Sequence, residues 1–240
     1  MRIAVIADMH GNCVAFDAVL ADLEAHPFDQ LVCLGDAIQG GPQPAQVVAR
    51  LQELGCPVVL GNADAFLLTG ADGNEAVSAQ QYAARDWSLA QLSEADRAFI
   101  AAFHPTVEFS LPGNRRFLCF HGSPASFHDR IFPNTPDEEV RGYLGAYLPA
   151  ILTGGHTHLQ QLRRLDDSLF FNPGSVGFVY NTRQSGGVLH ADPWAEYAIL
   201  SADERRFSIE FCRVSFDVAE WKRITLASGI PDTETMVTRY

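Results

Sequence analysis

The first twelve residues constrain this chain most. Residues 3–7 form an apolar run the length of a buried strand. The run meets a carboxylate at Asp8, and an imidazole follows at His10. In extended chain, residues i and i+2 point to the same side, so Asp8 and His10 reach one point beyond the strand's carboxyl end. Gly11 then breaks the strand and admits close backbone approach to whatever sits there. A hard oxygen and a borderline nitrogen converging on one point suggest a metal ion. An Asp at a strand end also serves as a helix N-cap, and a His as a structural hydrogen-bonder.

The same punctuation recurs along the chain. Residues 30–36 are apolar and end on Gly35-Asp36, and residues 57–62 end on Gly61-Asn62. Residues 117–122 end on His121-Gly122, and residues 152–158 end on Gly155-His156-Thr157-His158. Residues 170–175 close on the tight turn Asn172-Pro173-Gly174-Ser175. Between the first runs lie helical patterns. Residues 13–26 carry Val14, Val19, Leu20 and Leu23 at helical spacing and stop at Pro27. A second helix opens at Gly40-Gly41-Pro42, buries Val47, Val48, Leu51 and Leu54, and ends at Gly55. This alternation predicts an α/β fold with a parallel sheet covered on both faces. Ligands of such sheets gather beyond the carboxyl ends of the strands. Asp8, His10, Asp36, Asn62, His121, His156 and His158 all stand there.

The middle of the chain changes character. Residues 78–103 read as two helices divided by the capping box Ser93-Glu94-Ala95-Asp96, with Pro105 as the stop. This helical insertion, at about residues 78–104, is either a cap beside the site or a surface pair without a role. The remainder is rich in strands. Residues 106–111 and 116–120 flank the hairpin turn Pro112-Gly113-Asn114. A polar loop over 123–136 leads into a helix at 137–147. Short strands follow at 151–153, 168–171, 187–190, 196–200 and 207–214, and a helix at 219–228 closes the chain. With no internal repeat or linker, residues 1–240 are expected to form one domain.

Composition narrows the partners. Hydrophobic residues make up 47% and charged residues 19% of the 240, a balance that suits a globular protein. A net charge of -12 argues against a broad nucleic-acid or anionic-membrane footprint, which is usually basic. No stretch approaches the ~20 apolar residues of a membrane span. The apolar run after Arg2 is too short for a signal peptide. Five cysteines without regular spacing do not make a disulfide framework, so a reducing cytoplasm is the expected compartment. Cys33 and Cys119 sit in apolar runs and read as small buried hydrophobes.

Taken in order, Asp8-x-His10, Gly35-Asp36, Gly61-Asn62, His121-Gly122 and Gly155-His156-x-His158 resemble the signature blocks of calcineurin-like metallophosphoesterases. The form of the first block is most similar to the small bacterial phosphodiesterase-type branch, and Asn172-Pro173-Gly174-Ser175 resembles a further turn of that branch. The resemblance implies a four-layer α/β/β/α sandwich of two mixed sheets. It implies two divalent metal ions, Mn²⁺ first, with Fe, Zn²⁺, Co²⁺ or Ni²⁺ as alternatives. One ion would be held by Asp8, His10, Asp36 and His158, the other by Asp36, Asn62, His121 and His156, with Asp36 bridging.

The implied activity is hydrolysis of phosphodiester, or phosphomonoester, bonds in a small substrate. Two ions ~3.5–4 Å apart would activate a hydroxide for in-line attack on phosphorus. Asp36, Asn62 and His10 would form the catalytic set. Backbone N–H groups near Gly11, and the Asn12 side chain, would contact the phosphate, although Asn12 equally reads as a helix N-cap.

One position departs from the family pattern. Many members carry His directly after the Gly-Asn block, where it contacts phosphate or protonates the leaving group. Here Ala63 does neither. Asp64 follows as a supporting group or helix cap, and His128 is an alternative proton source from the loop after His121. That departure leaves room for a non-catalytic scaffold with the same fold, as in the retromer scaffold subunit. A protein or dinucleoside-polyphosphate phosphatase is a further alternative within the enzyme class.

Overall fold

The computed structural model describes residues 1–73, 76–147, 151–180 and 189–240. Two mixed sheets pack face to face. The first has the order β2 (Gln30–Cys33), β1 (Arg2–Ile6), β8 (Trp194–Ala202), β9 (Phe207–Ser215). The second has the order β3 (Val107–Leu111), β4 (Arg115–Cys119), β5 (Ile151–Thr153), β7 (Ser168–Asn172), β6 (Gln161–Leu165). In each sheet the strands that lead to the candidate site run parallel: β1 with β2, and β4 with β5 and β7. Antiparallel partners complete the edges.

Strand alternation sorts the side chains into three cores. Ile3 and Val5 of β1 meet Phe117, Cys119, Ile151 and Phe171 between the sheets. Ala4 and Ile6, one residue out of phase, face the opposite way. There they pack against Phe16 and Val19 of α1 (Cys13–Leu23), Val47 and Leu51 of α2 (Pro44–Leu54) and Trp221 of α7 (Val218–Ser228). Leu118, Phe120 and Phe170 point out of the second sheet onto Val140 and Leu144 of α6 (Asp137–Leu144). The result is the expected α/β/β/α sandwich.

The insertion is helical. α4 (Ala79–Ala90) begins with a capping box at Ser78 and Gln81, and α5 (Glu94–Ala101) with one at Ser93 and Asp96. Arg85 donates from Nε to Phe66 O (3.0 Å) and from a terminal nitrogen to Leu68 O (3.2 Å). Phe66 O also accepts the capping bond from Gly70 N (2.8 Å), whereas Leu68 O lies in the last turn of α3 (Asn62–Thr69), where carbonyls lack helical partners. Ile100 and Phe103 join the outer core of the first sheet.

Several boundaries differ from expectation. The run at 57–62 is not a strand of the sheet. Val58 and Val59 make single bridges to Cys33 and His104, and α3 already begins at Asn62. The second helix starts at Pro44, not Pro42. Gly41 lies against the backbone of His10 and Gly11, and Gln43 N donates to Gly11 O (2.9 Å), so the chain is pinned before it can coil. β6 and the short helix α8 (Thr233–Val237) had no clear sequence signal. Part of the strand expected at 187–190 lies outside the described residues; Leu189 and His190 are not in a strand.

Candidate metal centre

The turns that follow β1, β2, β4 and β5, together with the start of α3, converge at one edge of the sandwich. They bring together all seven candidate ligands. Asp8, His10 and His158 form one cluster of potential ligand atoms within 4.8 Å of one another, and Asp36, His121 and His156 form a second. Asn62 adjoins the second, with Oδ1 3.1 Å from His121 Nε2. Asp8, Asp36, His121 and His158 are buried, while His10, Asn62 and His156 are half-buried.

Backbone carbonyls set the direction of three rings. His10 Nδ1 lies 2.8 Å from Gln39 O, His121 Nδ1 2.8 Å from Leu34 O, and His158 Nδ1 2.6 Å from Phe178 O. A carbonyl only accepts, so each Nδ1 carries a proton and each Nε2 is turned inward, where it binds a cation once unprotonated. Those ring nitrogens meet. His10 Nε2 and His158 Nε2 are 3.1 Å apart, and His121 Nε2 is 3.2 Å from His156 Nδ1. Ring nitrogens that close need a proton or a cation between them. Seven hard or borderline donors turned toward one another, with no thiolate, fit a divalent cation centre.

The Asn62 amide fits the same conclusion. Rotated, its nitrogen would donate to His156 Nδ1 (2.8 Å), His121 Nε2 (3.1 Å) and Asp36 Oδ2 (3.2 Å). Without a cation that orientation is favoured by hydrogen bonding; with one, the oxygen belongs at the cluster.

Charge is concentrated here. Burial tends to raise the Asp36 carboxyl, yet the imidazoles of His121, His10 and His156 outweigh it and hold the group below the ordinary carboxylate range. Burial pushes Asp8 up. Asp64 rises to about 7 through burial and the nearby Asp36. Burial works against a charged His121, but Asp36 and Asp8 raise it to about 9. Burial and His121 push His156 down to about 3, and burial and His10 depress His158. Without bound cations the cluster holds its charge only by sharing protons among neighbours.

Supporting groups surround the cluster. Asp64 accepts from Ala37 N and Ile38 N, each at 3.1 Å, and so shapes the turn after Asp36. Asn172 donates to Gly155 O (2.6 Å) and Thr157 Oγ1 (3.1 Å), tying down the His-x-His turn, while Ser175 Oγ donates to Asp8 O (2.8 Å). His156 N donates to Asp8 Oδ2 at 3.1 Å, linking the two clusters.

Two expected substrate contacts take other roles. Gly11 N donates to Ala37 O (2.9 Å) and has no hydrogen left for a phosphate. Asn12 caps α1, its Oδ1 accepting from Ala15 N (3.0 Å), and its Nδ2 donates to Gly177 O (3.0 Å). Both ends of that amide are in use. His128 faces Asp72, 3.6 Å from Nδ1, and sits against Gly73. Arg130, which sequence reasoning passed over, has Nε 3.4 Å from His156 Nε2. Its sequence signal was a basic residue in the loop that follows His121.

Known proteins resemble this chain in sequence and fold. The chain is 24% identical over 238 residues to an uncharacterized protein of Methanocaldococcus jannaschii, covering 96% of this chain and 94% of that protein. A crystal structure of a metallophosphoesterase from Sphaerobacter thermophilus superposes with a TM-score of 0.77 at 26% identity, covering 100% of this chain and 97% of that one. A hypothetical protein from Pyrococcus horikoshii superposes with a TM-score of 0.83 at 18% identity, again covering 100% and 97%, and shares the fold. The model of the calcineurin-like phosphoesterase superfamily domain matches residues 1–193, which span all seven converging side chains, and the chain belongs to that superfamily.

Proposed function

We propose that this chain is a dinuclear, metal-dependent phosphoesterase that hydrolyses phosphodiester bonds, with phosphomonoesters as a second substrate class. Asp36 is the observation that carries it. Its Oδ2 lies 3.4 Å from His121 Nε2 and 3.7 Å from His10 Nε2, so one carboxylate oxygen borders both clusters. A single ion has no use for such sharing, whereas a pair requires it. Asp8, His10, Asp36 and His158 hold one ion in this reading; Asp36, Asn62, His121 and His156 hold the other. The nitrogen and oxygen donors suit Mn²⁺ first, and Fe, Zn²⁺, Co²⁺ or Ni²⁺ as well.

When bound, such a pair supplies Lewis acidity that lowers the pKa of water and offsets charge on phosphoryl oxygens. The chain supplies the geometry. The carbonyls of Gln39, Leu34 and Phe178 hold three imidazoles in direction before substrate arrives, so little reorganisation is left for the reaction. Arg130, beside His156, offers a cation to a phosphoryl oxygen. Asp36 Oδ1 accepts from Ala63 N at 2.7 Å, which fixes the bridging carboxylate against the start of α3. The substrate is a small phosphoester, and a reducing cytoplasm suits cysteines that are all unpaired.

The test is a metal titration. Chelator-treated protein is given Mn²⁺ stepwise and assayed on methyl 4-nitrophenyl phosphate, 4-nitrophenyl phosphate and a serine-phosphorylated peptide. Diester hydrolysis that rises to two equivalents and vanishes with chelator is expected. Two bound equivalents without turnover on any of the three would favour the scaffold reading.

A further inference from the structure

The His158 ring is aimed by one carbonyl, Phe178 O, which lies 2.6 Å from Nδ1. That carbonyl is carried by the turn at residues 175–178. Phe178 N donates to Ser175 Oγ (2.9 Å), and Gly177 N donates to Asp8 O (3.0 Å). Gly177 O accepts from two side chains, Asn12 Nδ2 at 3.0 Å and the Tyr240 hydroxyl at 2.8 Å. Gly177 O and Phe178 N belong to one peptide plane. The plane is therefore held at both edges, and the next carbonyl along the chain is the one that faces His158. The turn has no room to slide, since a Cβ at Gly177 would collide with Met9 O.

Tyr240 reaches this turn from a distant part of the sequence, and its placement is fixed on several sides. Its ring stands edge-on to Trp221 (4.8 Å, 70°), Phe216 (5.6 Å, 89°) and Phe178 (6.2 Å, 80°). Tyr240 O accepts from Lys222 Nζ (2.8 Å), and Arg239 O accepts from Ala191 N (2.7 Å). Met236 and Val237 of α8 pack in the same core as Trp221. The segment presses one hydroxyl onto one carbonyl. Burial raises the phenol above its ordinary value of 10, so the hydroxyl keeps its proton and donates.

We infer that Tyr240 is a positioning residue for His158. Its hydroxyl, acting through the peptide plane of Gly177 and Phe178, holds the imidazole in the direction that the cluster of Asp8, His10 and His158 requires. The other cluster has no need of it. Leu34 O, which aims His121, follows β2 directly, and Leu34 N donates to Ile6 O at the end of β1 (2.8 Å). Loss of the hydroxyl should therefore disturb one cluster and spare the other. The effect on a bound ion rests on the dinuclear reading, whereas the effect on the ring does not. Outer partners of ligating histidines matter tenfold or more to metal affinity, and Asn12 shares the Gly177 acceptor, so the loss expected here is about tenfold.

Tyr240→Phe removes the hydroxyl and keeps the ring among Trp221, Phe216 and Phe178. In metal-free protein, nuclear magnetic resonance follows the Nδ1 protons of His158 and His121. One hydrogen bond lost from the support of the turn should speed exchange of the His158 proton with water by about tenfold, with His121 unchanged. Val237→Ala loosens the same segment but leaves the hydroxyl, and both protons are expected to keep their wild-type rates in it. Equal His158 exchange in Tyr240→Phe and the wild type, or the same acceleration in Val237→Ala, would overturn the inference.

Mn²⁺ is then titrated into the wild type and Tyr240→Phe, with the free ion read by electron paramagnetic resonance. One of two binding constants is expected to weaken by about tenfold while the other holds its wild-type value. Two constants that weaken together, or two that stay unchanged, would overturn the inference as well. A wild type that takes up no Mn²⁺ would remove the phosphoesterase reading, and the His158 exchange rates would then decide the inference alone.

Discussion

Five of the seven converging residues sit in backbone conformations that most side chains avoid. Asp8 (φ 55°), His10 (46°), Asp36 (49°), His156 (66°) and His158 (56°) are all left-handed. Asp and His enter this region more readily than other residues, yet each instance still costs on the order of 1–3 kcal/mol and persists only where the surroundings enforce it. The enforcing bonds are visible: His10 N to Asp36 O at 2.9 Å, Asp8 N to Gly35 O at 3.0 Å, and His156 N to Asp8. Ala63 is the position where the chain gives something up. A general acid contributes ~10²–10⁴-fold, most where the leaving group is basic. Rates should therefore fall steeply as leaving-group pKa rises, and Ala63→His should flatten the slope by helping alkyl esters more than aryl ones. A leaving-group series on both proteins checks this, and a shallow native slope would mean that another group already supplies the proton. At this scale the sequence was informative about which side chains converge, because each of the seven stands at the end of an apolar run, within two residues of a glycine or another candidate. For Asn12 the helix-capping reading is the one the structure shows, while Gly11 N is bonded to Ala37 O; whether an N–H or an amide is already bonded depends on contacts from residues 37 and 177.

The elements reach the site through tight crossings of loops. Gly61 makes the point: a Cβ there would stand 2.1 Å from Asp36 Oδ1 and 2.3 Å from Asp36 N. Neither neighbour can yield without moving the Asp36 carboxylate. Gly61→Ala should therefore lower metal affinity out of proportion to a stability loss of roughly 1–3 kcal/mol, the usual range for overpacking. Metal content and thermal melting of the purified variant measure the two effects, and a destabilised variant that still holds its metal at wild-type affinity would count against the role of this crossing. The same crossing explains why residues 57–62 look like a strand in sequence. Their apolar character is real, since Val58 and Val59 are buried, but Gly61 turns the chain into α3 before a ladder can form. β1, α1 and the capping box at Ser93 and Asp96 were legible because periodicity and capping are local. β6 was not, since Arg163 and Arg164 interrupt its apolar pattern and its pairing to β7 is set by a hairpin across Asp166 and Asp167.

For the whole molecule, the sandwich exists to hold a charged centre against a dry core. Cations and protons compete there. His121 has a metal-free pKa of about 9, above the ordinary value of 6.5, because Asp36 and Asp8 outweigh its burial. Below pH 9 its ring carries a proton that must leave before Nε2 can take a metal. Affinity for Mn²⁺ should thus rise as pH increases toward 9, and binding near pH 7.5 should release about one proton from this ring. Calorimetry in two buffers of different ionisation enthalpy counts those protons; a heat independent of buffer would contradict the assignment. Folding and metal binding are linked in the same direction, so chelation should lower the melting temperature, with each site contributing about 2.7 kcal/mol at a hundredfold excess over Kd. The two-sheet architecture was accessible only through the family resemblance, because β8 joins β1 antiparallel from almost 200 residues away. No local pattern encodes that pairing. The most direct measurement of the central claim is anomalous scattering at the Mn edge from Mn²⁺-loaded crystals. Two peaks are expected, one within Asp8, His10 and His158 and one within Asn62, His121 and His156, with the Asp36 carboxylate between them. A single peak, or a second peak away from these residues, would contradict it.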